Sequence, residues 1–115
     1  MPIRINLPET CGLGLALSVI GGRWKSVILW ELHERPLRFG ALRRRLPGIS
    51  EKVLYEQLRE MERDGVVRRE VFEEAVLRVE YSLTSAGAAL NDAAHVLAEW
   101  GLAHAGRSTL QAAAE

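Results

Sequence analysis

The 115 residues contain one cysteine, Cys11, so an internal disulfide is excluded and only a bond between two chains stays open. No apolar run approaches the ~20 residues that a membrane-spanning helix needs. The opening "MPIRINLPET" lacks the apolar core of a signal peptide, and a cytoplasmic protein is expected. Internal repeats, low-complexity tracts and linkers are missing too, so the length fits one domain, residues 1–115. Net charge is also missing, but the zero is a sum of opposites. Residues 35–69 hold ten basic and five acidic side chains, whereas residues 70–115 hold two basic and seven acidic ones. A basic middle beside an acidic end points to a polyanion as the partner of the middle. At 48% hydrophobic and 26% charged residues, the composition is that of a folded chain rather than a disordered one.

What is present reads as four helices, a hairpin and a last helix. "CGLGLALSVI", residues 11–20, is a short apolar helix stopped by Gly21-Gly22. "RWKSVILWELHER" follows, with Val27, Ile28, Leu32 and either Trp24 or Leu29 on its core face, and Pro36 ends it. Phe39, Leu42 and Leu46 define a third helix, and Pro47-Gly48 turns the chain. Ser50 is a good N-cap for a fourth helix that runs to Asp64, with Glu51 in its first turn and Gly65 as its stop. The period then changes to two: "VVRREVF" and "VLRVEYSL" alternate, most cleanly at Leu77, Val79, Tyr81 and Leu83. Their turn lies near Glu73–Val76, where no Asn-Gly or Asp-Gly fixes its type. Thr84 caps a final helix to about Ala103. The expected fold is mainly α with a small β-hairpin, a winged helix-turn-helix with its helix-turn-helix at 39–64 and its wing at 66–83.

On a helical wheel the fourth helix buries Leu54, Leu58 and Met61. Its opposite side carries Lys52, Glu56, Arg59 and Arg63, with Tyr55 on the flank. One reading is a recognition helix in a major groove. The other is a solvated surface helix laced by pairs such as Glu56–Arg59 and Arg59–Glu62. The basic short helix before it, the Pro-Gly turn and the hairpin after it favour the first. Lys52, Tyr55, Glu56 and Arg59 would then face base edges, with Ser50 at the start of the helix. Arg38, Arg43, Arg44 and Arg63 would mainly grip phosphates, which positions a protein without reading sequence. Arg43, Arg44 and Arg45 fan around the end of the third helix, so one or two can reach phosphate and the third faces solvent.

Four stretches, "GGRWKSVILWEL", "PLRFGALRRRLPGIS", "LREMERDGVVRRE" and "RVEYSLTSAG", resemble the HxlR-type winged helix-turn-helix transcriptional regulators of bacteria. The resemblance runs from about Cys11 to Gly101. It implies a homodimer on operator DNA, joined through its N- and C-terminal helices, that represses or activates nearby genes. It also implies a thiol switch at Cys11, because some members respond to oxidants or electrophiles through a cysteine near the N-terminus. The wing departs from the family pattern. Members often carry prolines, as in "VPPRVEY", where this chain has "EAVLRVEY", and Glu73-Glu74 sit near the tip. Arg78 is the candidate left for a wing contact, supported by Arg68 and Arg69.

The residues themselves also point to pairing. Residues 84–104 are apolar on two sides, with Leu90, Ala94 and Leu97 on one stripe and Val96 and Trp100 on another. Residues 11–20 add Leu13 and Leu17. One small domain covers only part of this surface, and a second copy is the simplest cover. Leu13, Leu17, Leu90, Leu97 and Trp100 are the interface candidates. The other reading is a helix folded back on its own core. Cys11 is either a small buried hydrophobe or a thiol activated at a helix start. His95, Glu99 and Asn91 share a helix face, but nothing completes a metal site, and no cofactor is expected. "CGLGLA" lacks the third glycine of a dinucleotide loop and "GGRWKS" is not a phosphate loop. No nucleophile and base sit at a recognisable spacing, so an enzyme is not expected. The rival reading is a protein–protein module that keeps the fold without DNA. No membrane partner is expected, and the sequence names no small-molecule effector.

Overall fold

The computed structural model describes residues 11–105. Its elements are α1 (Gly12–Ile20), α2 (Lys25–Leu32), α3 (Phe39–Arg44), α4 (Glu51–Arg63), β1 (Val67–Phe72), β2 (Arg78–Leu83) and α5 (Ser85–Trp100). A π-helical turn, Gly101–Ala105, follows α5. The order is that of a winged helix-turn-helix: helices α3 and α4 meet at the Pro-Gly turn, and β1 and β2 form the wing.

The core sits where the apolar stripes of α2, α3 and α4 converge under the hairpin. Ile28, Leu29, Leu42 and Leu54 are completely buried, and Leu32, Leu58 and Met61 nearly so. Leu46 and Ile49 bury the turn between α3 and α4 against the same cluster. Their burial draws the chain inward on both sides of Pro47-Gly48, which forces a sharp reversal. Gly48 makes it at φ 93°, a left-handed conformation that costs other residues roughly 1–2 kcal/mol.

The α2 face differs from expectation. Ile28, Leu29 and Leu32 are buried and half-buried Trp24 packs against their cluster, but Val27 is exposed. The stripe begins instead with Lys25, one turn before Ile28, and that residue is buried. A lysine takes this place because its ammonium reaches the Glu60 carboxylate of α4 at 2.6 Å. The third helix is also shorter than expected: α3 stops at Arg44, Arg45 caps it, and Leu46 closes a turn by donating to the Arg43 carbonyl at 3.0 Å.

The hairpin is antiparallel, with Val67 opposite Leu83, Arg69 opposite Tyr81 and Val71 opposite Val79. This register turns Val67 and Tyr81 into the core. Leu77 lies outside β2 and is exposed, so the alternation of the wing begins at Val79. One connection was not legible in the sequence. Leu37 exchanges two backbone hydrogen bonds with Tyr81, at 2.9 and 2.8 Å, and ties the α2–α3 link to the wing.

Thr84 joins the wing to α5. Its hydroxyl accepts from the Gly87 N–H at 3.0 Å and donates to the Gly65 carbonyl at 2.6 Å. Gly87 lies so close to the preceding chain that a Cβ there would sit 2.0 Å from the Val66 carbonyl oxygen. The regular part of α5 ends at Trp100, short of Ala103, and passes into the π-helical turn. Among the described residues no single helix is long and apolar enough to cross a membrane.

Candidate nucleic-acid interface

The exposed side of α4 begins at a capped N-terminus. The Ser50 hydroxyl accepts from the Val53 N–H at 3.1 Å, and Glu51 lies in the first turn. Ser50 thus caps the helix as its residue type predicts, with no role in contacting a partner required. Because Leu54, Leu58 and Met61 are buried, Lys52, Tyr55, Glu56, Arg59 and Arg63 project on one exposed face.

Within that face one pair is fixed in advance. The Arg59 guanidinium donates to the Tyr55 hydroxyl at 2.9 Å and lies 5.6 Å from the centre of its ring. The same bond holds the arginine above its already high ordinary pKa. The Glu56–Arg59 and Arg59–Glu62 pairs of the alternative, solvated-helix reading do not form: Arg59 takes Tyr55 instead. Among the described residues, Lys52 and Arg63 also have no carboxylate within ion-pair distance. The face therefore sets the cations Lys52, Arg59 and Arg63 against the single carboxylate of Glu56, and none of the three cations is ion-paired among the described residues.

The three successive arginines divide their work. Arg43 braces the turn, with its Nε donating to the Ile49 carbonyl at 3.3 Å and its guanidinium 3.6 Å from Glu51. Arg45 points back to Glu31 of α2 at 3.4 Å. Arg44 is exposed and unpaired among the described residues. Arg38, at the N-cap of α3, is exposed as well.

The wing behaves differently. Arg78 is clamped by Glu80 and by Glu74, the latter at 2.9 Å, and lies 3.9 Å over the Phe72 ring. These carboxylates raise its pKa, and Arg78 in turn holds the Glu74 carboxyl below its ordinary value near 4.5, with a smaller push from Arg38. Glu70 and Glu80 face each other across the strands, a repulsion that Arg78 offsets. The guanidinium left as the candidate for a wing contact is thus already engaged inside the hairpin. Arg69 has the opposite character. It shares the inward parity of Val67 and Val71, opposite Tyr81, yet it is exposed and unpaired among the described residues.

Of the dimer candidates, Leu13, Leu97 and Trp100 are more than half exposed. Leu17 is half-buried, and Leu90 packs on the chain's own core. Helix α1 buries none of its residues completely, despite its apolar sequence. Cys11 is half-buried at the N-cap of α1; Arg4, the basic residue upstream, lies outside the described residues. His95 does not share an open face with Asn91, which is buried. It stacks on Trp30 at 5.5 Å and lies 3.7 Å from Glu99. Among the described residues no three His, Cys, Asp or Glu side chains cluster as metal ligands.

Sequence reasoning missed Lys25, and it named Arg69 only as a support for Arg78 without seeing its inward strand position. In both cases the signal is a cation at a position whose periodicity calls for an apolar residue.

Comparison with known proteins agrees with this geometry. The profile of the family described as HxlR-like helix-turn-helix matches residues 19–109. The chain is 41% identical over 93 residues to YdeP of Bacillus subtilis strain 168, which is named an HTH-type transcriptional regulator; 81% of this chain and 73% of YdeP are covered. A structure from Enterococcus faecalis V583, described as a transcriptional regulator of the MarR family, superposes with a TM-score of 0.79 at 44% identity, covering 91% of this chain and 96% of that one. The redox regulator HypR in its reduced form superposes with a TM-score of 0.77 at 37% identity, covering 89% and 99%.

Proposed function

Because the chain belongs to the HxlR-like helix-turn-helix family of transcriptional regulators, we propose that it acts as a homodimer that binds a palindromic DNA operator in a sequence-specific manner. The observation that carries this reading is the outer face of α4, where Arg59 is pre-positioned by Tyr55 and Lys52 and Arg63 have no carboxylate partner among the described residues. A cation that no internal carboxylate satisfies is available to a polyanion. Lys52, Tyr55, Glu56 and Arg59 enter the major groove, and Arg38, Arg44 and Arg63 contact phosphates. Arg43 contributes by holding the turn that aims α4. Arg78 is left to stabilise the wing.

Two copies present this face twice. The exposed apolar side chains of α1 and α5 support a two-fold interface. Half-sites then lie about one helical turn apart, ~34–36 Å. The likeness to HypR supports a second element, a thiol switch at Cys11 near that interface.

The test is binding to the DNA upstream of the chain's own gene against random duplex, across a salt series. Specific binding gives a steep negative slope of log affinity on log salt, roughly 0.9 per neutralised phosphate. Arg59→Ala flattens the discrimination between the two duplexes. Equal affinity for both sinks the sequence-reading claim, and no binding to any duplex at low salt favours the rival protein–protein module. A Cys11→Ser variant that loses affinity on mild oxidation as the parent does would remove the thiol switch alone.

A further inference from the structure

The face assigned to DNA has an apolar floor that phosphate recognition does not call for. Between α4, the start of α3 and the inner side of the hairpin lies a cleft of about 610 Å³. Its walls are Phe39, Tyr55, Val79 and Tyr81, and its polar groups are Lys52, Arg69 and Glu51. The size falls within the roughly 300–1,000 Å³ of small-molecule sites, and aromatic walls with a few convergent polar groups are their usual make-up.

The charges decide the ligand. Glu51, the one carboxylate of the cleft, has Arg43 3.6 Å away. Lys52 and Arg69 have no carboxylate partner among the described residues. Arg69 stands at an inward strand position, opposite Tyr81, where the alternation of the wing calls for an apolar side chain. A cation placed on the inner face beside aromatic walls, with no internal partner, is arranged for an anion that carries an apolar body. Arginine is suited to a carboxylate because its planar fork can donate two parallel hydrogen bonds.

We propose that this cleft binds an aromatic carboxylate, with its ring over Phe39, Val79 and Tyr81 and its carboxylate on Arg69 and Lys52. The ligand neutralises Lys52 and covers Tyr55, two of the groups assigned to base edges. Occupancy therefore excludes duplex DNA, and the ligand acts as a releaser. The site itself stands without the DNA reading; only the release rests on it.

The experiment is a titration of the full chain with 4-biphenylcarboxylate, followed by amide chemical shifts, with the neutral biphenyl-4-carboxamide as control. Saturable shifts at Phe39, Tyr55, Arg69, Val79 and Tyr81 are expected, with the carboxylate bound about tenfold more tightly than the amide. Arg69→Gln brings the two affinities together. Val79→Phe fills the cleft and abolishes binding of both probes. Absence of saturation, equal affinity for the two probes, or shifts confined to α1 and α5 overturns the site. If the carboxylate saturates the cleft and the duplex stays bound with unchanged affinity, the release is overturned. If no duplex binds at all, the functional reading falls while the titration still decides the site.

Discussion

Lys25 and Glu60 link α2 to α4 through one ion pair, buried at the lysine end. The lysine holds the Glu60 carboxyl below its ordinary value near 4.5, chiefly through their hydrogen bond. A depressed folded pKa gives stability that is complete above the unfolded value and lost as pH falls through the folded one. Glu60→Gln is expected to cost about 1–2 kcal/mol at neutral pH, because it strands a buried ammonium. That is less than the ~3–5 kcal/mol of a fully buried pair, since the Glu60 side chain is 45% exposed and screened by water. Denaturant melts of parent and variant check this: the gap should hold from neutral pH down to about 4.5 and close below it. A second residue-scale expectation concerns Gly87. An added methyl meets the Val66 carbonyl at 2.0 Å, so Gly87→Ala should destabilise by about 2–3 kcal/mol as α5 is pushed off the wing. An unchanged melting curve would contradict the close approach.

At the scale of elements, the hairpin and the helix-turn-helix part company. The clamp of Glu74, Glu80 and Phe72 on Arg78 makes that guanidinium part of the wing, whereas Arg44 faces solvent unpaired among the described residues. Arg44→Gln should reduce the salt slope of DNA binding by about one, and Arg78→Gln should leave it unchanged while lowering the melting temperature. Equal slopes for the two variants would reverse the assignment. The same contrast shows how far the sequence could be read. Helix α4 was legible because one periodicity fixed Leu54, Leu58 and Met61, a serine marked its start and a glycine its stop. The choice of face on α2 was not, since it depended on a carboxylate 35 positions away in the chain, at Glu60. The candidate residues of α4 fall on one face because helix geometry alone puts them there. Which cation is unpaired and which is engaged depends on tertiary contacts that no local pattern carries, as Arg43, Arg45 and Arg78 show.

For the whole molecule the uncovered apolar surface is the dominant fact. Val96, Leu97, Trp100 and Leu102 are each more than half exposed toward the end of α5, and Leu13 and Leu15 likewise on α1. Surface of this kind marks an association site. The double variant Leu97→Glu/Trp100→Glu should raise the dimer dissociation constant at least about 30-fold, as removal of a central aromatic anchor does. Sedimentation velocity reads the change directly. The fold of each copy should survive, because neither side chain enters the core. A dimer that persists would move the interface elsewhere on the chain.

The Thr84 hydroxyl gives that association a mechanical meaning. It ties the carbonyl that follows α4 to the first turn of α5, whose 16 residues extend about 24 Å to Trp100. In the proposed dimer, a tilt imposed where two copies meet would pass along this arm to α4, and the distance between the two α4 helices would be set at its far end. On that reading, any chemistry that shifts the seam by a fraction of its width would retune the spacing of DNA that the proposed pair could straddle.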